Sequence, residues 1–317
     1  MEIKIKKEDV LISVVSPVYN AHEIVDELII QLESVLSNLT INYEIILIDD
    51  GSIDKSWSKI EKQCKVNDKI VGIKLSRNFG QHHAITAGLN HISGENVVVM
   101  DCDLQDNPIY IDDMMKKSEE GYDIVFTEKN KKEHGLIKNF LSYIYYNLFN
   151  VLKNNKDISI NSKIGSYCLI KRNVVNKYCN LNEYHISFTA MLKWLGFSST
   201  SIIINHDKRF KGKTSYNLKK SVDLALNTIL SHSDKLLKIS ILTGLFFILI
   251  GIISSSYIIY NSITYGFLPG WPSMMVLLIG CTGLILFSLG ILSLYVGKIF
   301  MEVKKRPQYV IEKSKNL

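Results

Sequence analysis

From Ile239 to Gly297 the chain carries no Asp, Glu, Lys, Arg or His, a run of 59 residues. The run divides at Asn261–Pro272, where Gly266, Pro269, Gly270, Trp271 and Pro272 interrupt helix or favour a membrane interface. On either side, Ile239–Tyr260 has 22 residues and Met274–Val296 has 23. As helices, both are long enough to cross about 30 Å of hydrocarbon. Two uncharged runs of this length argue against a hairpin buried in a soluble core. They predict a pair of transmembrane helices behind a soluble domain.

Charge follows the same division. The 317 residues carry a net charge of +6. Residues 1–203 sum to −3, whereas 204–238 sum to +5 and 298–317 to +4. The excess therefore flanks the apolar run. Lys235 and Lys238 precede it; Lys298, Lys304, Lys305 and Arg306 follow it. The positive-inside rule puts both ends on the cytoplasmic side, against anionic lipids. A nucleic-acid binder would carry its basic patch on a folded face, so nucleic acid is not expected as a partner. Five cysteines without a Cys-x-x-Cys, and no His cluster at zinc spacing, argue against disulfides and structural zinc. Met1–Val10 is too charged for a signal peptide. The expected organisation is a cytoplasmic domain over 1–216, a juxtamembrane helix over 217–238, two spans within 239–297, and a basic cytoplasmic tail over 298–317. The helix is amphipathic, with Leu218, Val222, Leu226, Ile229 and Leu230 near one face. It lies on the membrane or packs on the soluble domain. Gly280, Gly283 and Gly290 would let hairpins pack into a homo-oligomer.

Before the apolar run, strand-like and helix-like segments alternate. Strands are predicted at Leu11–Ser16, Glu44–Ile48, Ile70–Leu75, Asn96–Met100 and Asp123–Thr127. Helices are predicted at Glu23–Leu39, Asp54–Lys65 and Gln81–Ile92. This alternation implies an α/β domain with a mostly parallel sheet covered on both faces. Ligands bind such sheets beyond the carboxyl ends of the strands. Polar clusters sit there: Pro17-Val18-Tyr19-Asn20, Asp49-Asp50 and Asp101-Cys102-Asp103. Neither a Gly-x-Gly-x-x-Gly nor a Walker P-loop is present, so dinucleotide dehydrogenases and P-loop NTPases are not supported.

Asp101, Asp103 and Gln105 are hard oxygen donors suited to Mg²⁺ or Mn²⁺ bridging to phosphates. Asp50 could accept hydrogen bonds from a base or ribose; read by itself, Asp49–Asp54 is equally a turn leading into a helix. His82 and His83, at a helix start, either approach a phosphate or are exposed first-turn residues. Tyr143, Tyr145, Tyr146 and Phe149 read as one helix face.

Ser16-Pro17-Val18-Tyr19-Asn20, Ile48-Asp49-Asp50-Gly51-Ser52-Ile53-Asp54, Leu75-Ser76-Arg77-Asn78-Phe79-Gly80 and Asp101-Cys102-Asp103-Leu104-Gln105-Asp106-Asn107-Pro108 occur in that order. Together they resemble the GT-A family 2 glycosyltransferases. The Arg-Asn-Phe-Gly stretch and the two apolar spans narrow the resemblance to the polyprenyl-phosphate glycosyltransferases, GtrB-like or dolichol-phosphate mannose synthase-like. The resemblance implies a GT-A nucleotide-sugar-binding fold. It implies that Pro17, Tyr19 and Asp50 hold base and ribose, and that Asp101, Asp103 and Gln105 hold the divalent metal and the donor diphosphate. Asp103 and Arg209 would serve catalysis. Arg209, Lys211 and Lys213, in the basic segment before the spans, would contact phosphates; Lys211 and Lys213 read equally as a solvated loop or headgroup patch. The implied reaction is inverting transfer from a nucleotide-diphosphate sugar, with uridine suggested by the bacterial members, to a polyprenyl (undecaprenyl) phosphate. It would take place at the cytoplasmic face of a bacterial-type inner membrane, for cell-envelope glycan modification.

The sequence departs from the pattern at several places. Ala21 stands where an acidic residue is common, and Lys129, Lys131 and Lys132 stand where arginines are usual. Ser166 and Cys168 replace an Asp and an Arg, which suggests the loss of an ion pair and a changed sugar pocket. A processive polysaccharide synthase would want an Arg-Trp pair and more spans. A nucleotide-sugar sensor would lack the metal carboxylates, and Asp101 and Asp103 are present.

Overall fold

The computed structural model describes residues 11–39, 42–129, 164–181, 187–205, 235–265 and 270–317. They fall into two units. The first is an α/β domain in the element order β1 (Ile12–Val18), α1 (Val25–Leu39), β2 (Tyr43–Asp49), α2 (Ser56–Val66), β3 (Ile70–Leu75), α3 (Gln81–Leu89), β4 (Asn96–Val99), α4 (Tyr110–Glu119), β5 (Ile124–Lys129), β6 (Ile164–Lys171), α5 (Arg172–Cys179), α6 (Phe188–Trp194), β7 (Ser199–Ile204) and, at the C-terminus, β8 (Ile311–Lys315). The second holds α7 (Lys235–Tyr265) and α8 (Trp271–Val303).

The sheet order is β7-β5-β6-β4-β1-β2-β3-β8. The β4-β1-β2-β3 centre is parallel, as the strand–helix alternation requires. β6 enters antiparallel between β4 and β5, and β8 runs antiparallel on β3, so the sheet as a whole is mixed. Its two faces sort side chains with period 2. Ile45 and Leu47 enter one hydrophobic cluster with Leu28 and Leu32 of α1, Ile60 of α2 and Met114 of α4. Ile46 and Ile48 enter the other with Ala84 of α3, Val175 of α5 and Phe188 of α6. Every residue of β1 and β2 is buried, which explains why these strands read as continuous apolar runs.

The predicted strands coincide with β1 to β5. The basic stretch 298–317 departs from its reading as a tail: α8 runs to Val303, and Ile311–Lys315 is the edge strand β8. Its sequence, IEKSK, has no apolar alternation, because only one edge of this strand meets the protein.

In the second unit, Ser240–Asn261 and Gly280–Val303 are candidate membrane spans of 22 and 24 residues. None of either stretch is buried inside the protein, unlike the core helix of a soluble domain. α7 and α8 touch each other. Helix extends beyond the predicted bounds, because Asn261–Tyr265 continues α7 and Pro272 sits in the first turn of α8, where its missing N–H costs nothing. Residues 217–234, including most of the predicted amphipathic helix, lie outside the described residues, as do Tyr143, Tyr145, Tyr146 and Phe149.

At the amino ends of the strands, a buried carboxylate joins three segments. Glu44 Oε1 accepts Ser13 Oγ–H at 2.6 Å and the Ser93 N–H at 2.5 Å, and Ser13 Oγ accepts the Gly94 N–H at 2.8 Å. Glu44→Ala leaves these donors without their acceptor. It is expected to destabilise the domain by about 1–3 kcal/mol, measured by denaturant unfolding; unchanged stability would refute the assignment.

Candidate active site

Because β1, β2, β3 and β4 are parallel neighbours, their carboxyl ends open on one edge of the sheet. The chain leaves them through Tyr19-Asn20, Asp49–Ser52, Ser76–Gly80 and Asp101–Asp106. The first two loops are stitched together. Asn20 takes a left-handed φ of 49°. Its N–H donates to Ser52 Oγ at 2.9 Å, and its Oδ1 accepts the Ile53 N–H at 3.1 Å. One residue on, the Ala21 N–H donates to Ser56 Oγ at 2.9 Å. Asp54 Oδ2 lies 2.8 Å from His22 Nδ1.

Asp50 organises the next loop. Only 3% exposed, it accepts the Phe79 N–H at 2.7 Å on one oxygen and the Gly80 N–H at 2.9 Å on the other. Burial raises its pKa to about 6; the two amides pull the other way. Gly51, at φ 66°, lies directly under this loop: a Cβ there would sit 2.6 Å from the Asn78 nitrogen. Only glycine admits both that φ and that approach. The Arg77 guanidinium stacks over the Phe79 ring at 4.1 Å.

At the end of β4, Asp101 Oδ1 accepts Gln81 Nε2–H at 2.6 Å and Ser166 Oγ–H at 2.9 Å. Burial, reinforced by the Asp103 carboxylate, raises Asp101 to about 6. Leu104 turns the chain with a left-handed φ of 56°, and Asp103 Oδ1 accepts the Gln105 N–H at 3.2 Å. Asp106, 3% exposed, pairs with Lys129 at 3.4 Å. The edge thus holds two carboxylates, Asp101 and Asp103, on one tight turn. Of these, Asp101 is held from behind by neutral donors.

The structure brings most of the predicted residues to this edge. Asp101, Asp103 and Gln105 share one turn. Tyr19 stands 43% exposed at the mouth of β1. Pro17 lies inside β1, buried and in register with Ile48. Asp50 faces the amides of a different loop; the turn into α2 is made by Asp49 Oδ1, which accepts the Ser52 N–H at 3.3 Å, and Asp54 Oδ1, which accepts the Ser56 N–H at 2.9 Å. Ser166 reaches Asp101, whereas Cys168, two residues along β6, is fully buried in the core. Among the described residues His82 Nδ1 is buried without a hydrogen-bond partner, and burial lowers that ring to about 4. Arg209, Lys211 and Lys213 lie outside the described residues. Sequence reasoning missed Gln81 and Lys129 as partners of Asp101 and Asp106. Ser166 was visible only as a departure from the family pattern.

Asp50→Ala removes the acceptor of two amides and is expected to cost about 2 kcal/mol or more. Asp50→Asn, which keeps one acceptor oxygen, should cost less; denaturant unfolding of the two variants gives the order.

Residues 13–179 match the family description "Glycosyl transferase family 2". An uncharacterized glycosyltransferase of Synechocystis sp. is 34% identical over 302 residues, covering 95% of this chain and 94% of that one. The bactoprenol glucosyl transferase of Shigella phage SfII is 30% identical, covering 96% and 98%. Among solved structures, glucosyl-3-phosphoglycerate synthase from Mycobacterium tuberculosis, in complex with Mn²⁺, UDP and glucosyl-3-phosphoglycerate, superposes with a TM-score of 0.50. It is 16% identical and covers 71% of this chain and 79% of its own, a likeness of fold.

Proposed function

The chain belongs to glycosyl transferase family 2 and is a glycosyltransferase; from that premise we propose that it transfers a sugar, with inversion, from a nucleotide-diphosphate sugar to a polyprenyl phosphate at a membrane. The observation that carries this reading is the Asp101–Asp103 turn at the carboxyl end of β4, on a chain that continues into two candidate spans. A relative similar over nearly its whole length is a bactoprenol glucosyl transferase, which supports a lipid-linked acceptor. The solved neighbour's UDP supports a uridine donor.

The donor set suits a divalent cation. A buried carboxyl raised to about 6 with a second carboxylate beside it invites positive charge. Among the described residues no three His, Cys, Asp or Glu side chains form a protein-only metal site. Mg²⁺ and Mn²⁺ are commonly held by one or two carboxylates and completed by substrate phosphates. Asp101 and Asp103, with Gln105 on the same turn, would hold the ion. When bound, it would offset the charge developing on the departing diphosphate.

The remaining work falls to the chain. Asp50 and Gly51 shape the wall beside the nucleotide. Gln81 and Ser166 both donate to Oδ1 of Asp101 and so fix its carboxyl group. The acceptor brings its own nucleophile: a phosphate monoester has a second pKa near 6 and is largely dianionic at neutral pH. It needs little help from a protein base, so catalysis consists of positioning and electrostatics. Attack opposite the leaving diphosphate inverts the anomeric centre. Arg209 and Lys213 are assigned here to the phosphates, on the resemblance alone. The spans would hold the transfer unit at the leaflet that contains the acceptor, on the cytoplasmic side by the positive-inside rule.

The test is transfer of radiolabelled sugar from a panel of nucleotide sugars to undecaprenyl phosphate in detergent, with Mg²⁺ or Mn²⁺ and with EDTA. Lipid labelling that EDTA abolishes is expected, and Asp101→Asn or Asp103→Asn should lower it at least about a hundredfold. Nucleotide-sugar binding without transfer from any donor would overturn the polyprenyl-phosphate acceptor. The raised pKa of Asp101 gives the pH dependence its sign. Protonated below about 6, its carboxyl is neutral and attracts no cation, so Mn²⁺-dependent nucleotide binding should rise between about pH 5 and 7. More Mn²⁺ should move the midpoint lower, as competition with protons demands; a flat profile contradicts the assignment.

A further inference from the structure

The C-terminal segment reaches the back of the loop that carries Asp50's partners. β8 pairs with β3 in the register Gly72↔Lys315, Ile73↔Ser314, Lys74↔Lys313 and Leu75↔Ile311. Where β3 ends, the contact continues: the Ser76 N–H donates to the Val310 carbonyl at 2.9 Å. Asn316, at φ 58°, turns its side-chain amide onto the end of α2 and the start of β3, donating to the carbonyls of Cys64 at 2.6 Å and Ile70 at 2.9 Å. Tyr309 accepts from Asn90 at the end of α3, at 3.1 Å. Partly exposed ion pairs, Lys74–Glu312 at 2.9 Å and Lys315–Glu61 at 3.1 Å, flank the ladder and add little of their own.

Loop Ser76–Gly80 is therefore gripped at both ends. Asp50 and Gly51 hold it at Arg77–Gly80, and Val310 holds it at Ser76. The next residue, Gln81, donates to Asp101. The six residues Ser76–Gln81 thus link the C-terminal strand to Asp50 and Asp101.

We propose that the strand following the second candidate span is a positioning element of the donor site, fixing the Ser76–Gly80 loop from behind. The inference rests on the nucleotide-sugar reading above for its ligand, but the strut itself rests on the β3–β8 ladder. Neither span contributes to it: a chain stopped after Arg306 keeps α7 and α8 and loses only the strand.

Three full-length or near-full-length proteins in detergent test it: the wild type, a chain ending at Arg306, and Asn316→Ala. UDP binding with Mn²⁺ is measured by calorimetry, amide hydrogen exchange is followed in residues 76–81, and thermal unfolding is recorded separately. The shortened chain is expected to bind UDP about tenfold more weakly and to exchange faster in 76–81. Adding a peptide of residues 307–317 should restore both, since an edge strand can be supplied in trans. Unchanged affinity and unchanged exchange overturn the proposal. If the shortened chain does not fold, Asn316→Ala decides: about threefold weaker binding with faster exchange in 76–81 is expected, and a lower melting temperature with both unchanged refutes it. If the wild type binds no UDP, the uridine reading fails. Exchange in 76–81 then decides the strut alone, equal rates with and without the strand overturning it.

Discussion

A carboxylate taken out of water must be met by hydrogen-bond donors or by a cation. Asp50 and Asp101 both leave water at the carboxyl edge of the sheet, and they answer this demand differently. Asp50 accepts two backbone amides, so its charge is spent on the shape of the Phe79–Gly80 turn. Asp101 receives neutral side chains on one oxygen; desolvation raises its pKa to about 6, as it does that of Asp50, and here the Asp103 carboxylate adds to the rise. The first arrangement is closed within the protein. The second leaves its other oxygen and the neighbouring Asp103 as the pair to which the proposed cation is assigned.

The contrast explains why residues that look alike in sequence differ in role. Asp50 and Asp101 each follow a buried apolar strand, and each is followed within two residues by a turn. What separates them is the neighbour across the edge. For Asp50 it is backbone from the loop after β3. For Asp101 it is side chains from α3 and β6, one of them the serine at which this chain departs from its family's pattern. Cys168, the other departure, is two residues along the same strand and lies wholly inside the core.

The apolar run imposes a second constraint. Its 59 uncharged residues separate β8 from the other strands in sequence, so β8 can pair with β3 only if the chain comes back to the sheet after them. Here it returns to the sheet as β8, where its main chain covers the exposed edge of β3. Edge strands left open invite pairing with other chains; this one is closed by residues that carry lysines and a glutamate outward. The same strand is bonded to the start of the loop that follows β3, through the Ser76 N–H and the Val310 carbonyl.

Strands β1 to β5 and the two candidate spans could be read from the sequence because each is a local signal: a buried parallel strand is a short apolar run, and a span is a long one. Asp101 and Asp103 were legible as a pair for the same reason, both lying on one turn. β8 was not, since an edge strand meets the protein along one side and needs no apolar pattern. Nor were Gln81, Ser166 and Lys129 legible as partners, because hydrogen bonds between residues 20, 65 or 23 positions apart leave no periodicity. Composition and local pattern by themselves determined an α/β domain, two apolar spans and a carboxylate turn. Only the tertiary structure decided that Asp50 is bonded to backbone amides and Asp101 to neutral side chains, because those donors are delivered through space by elements far apart in the chain.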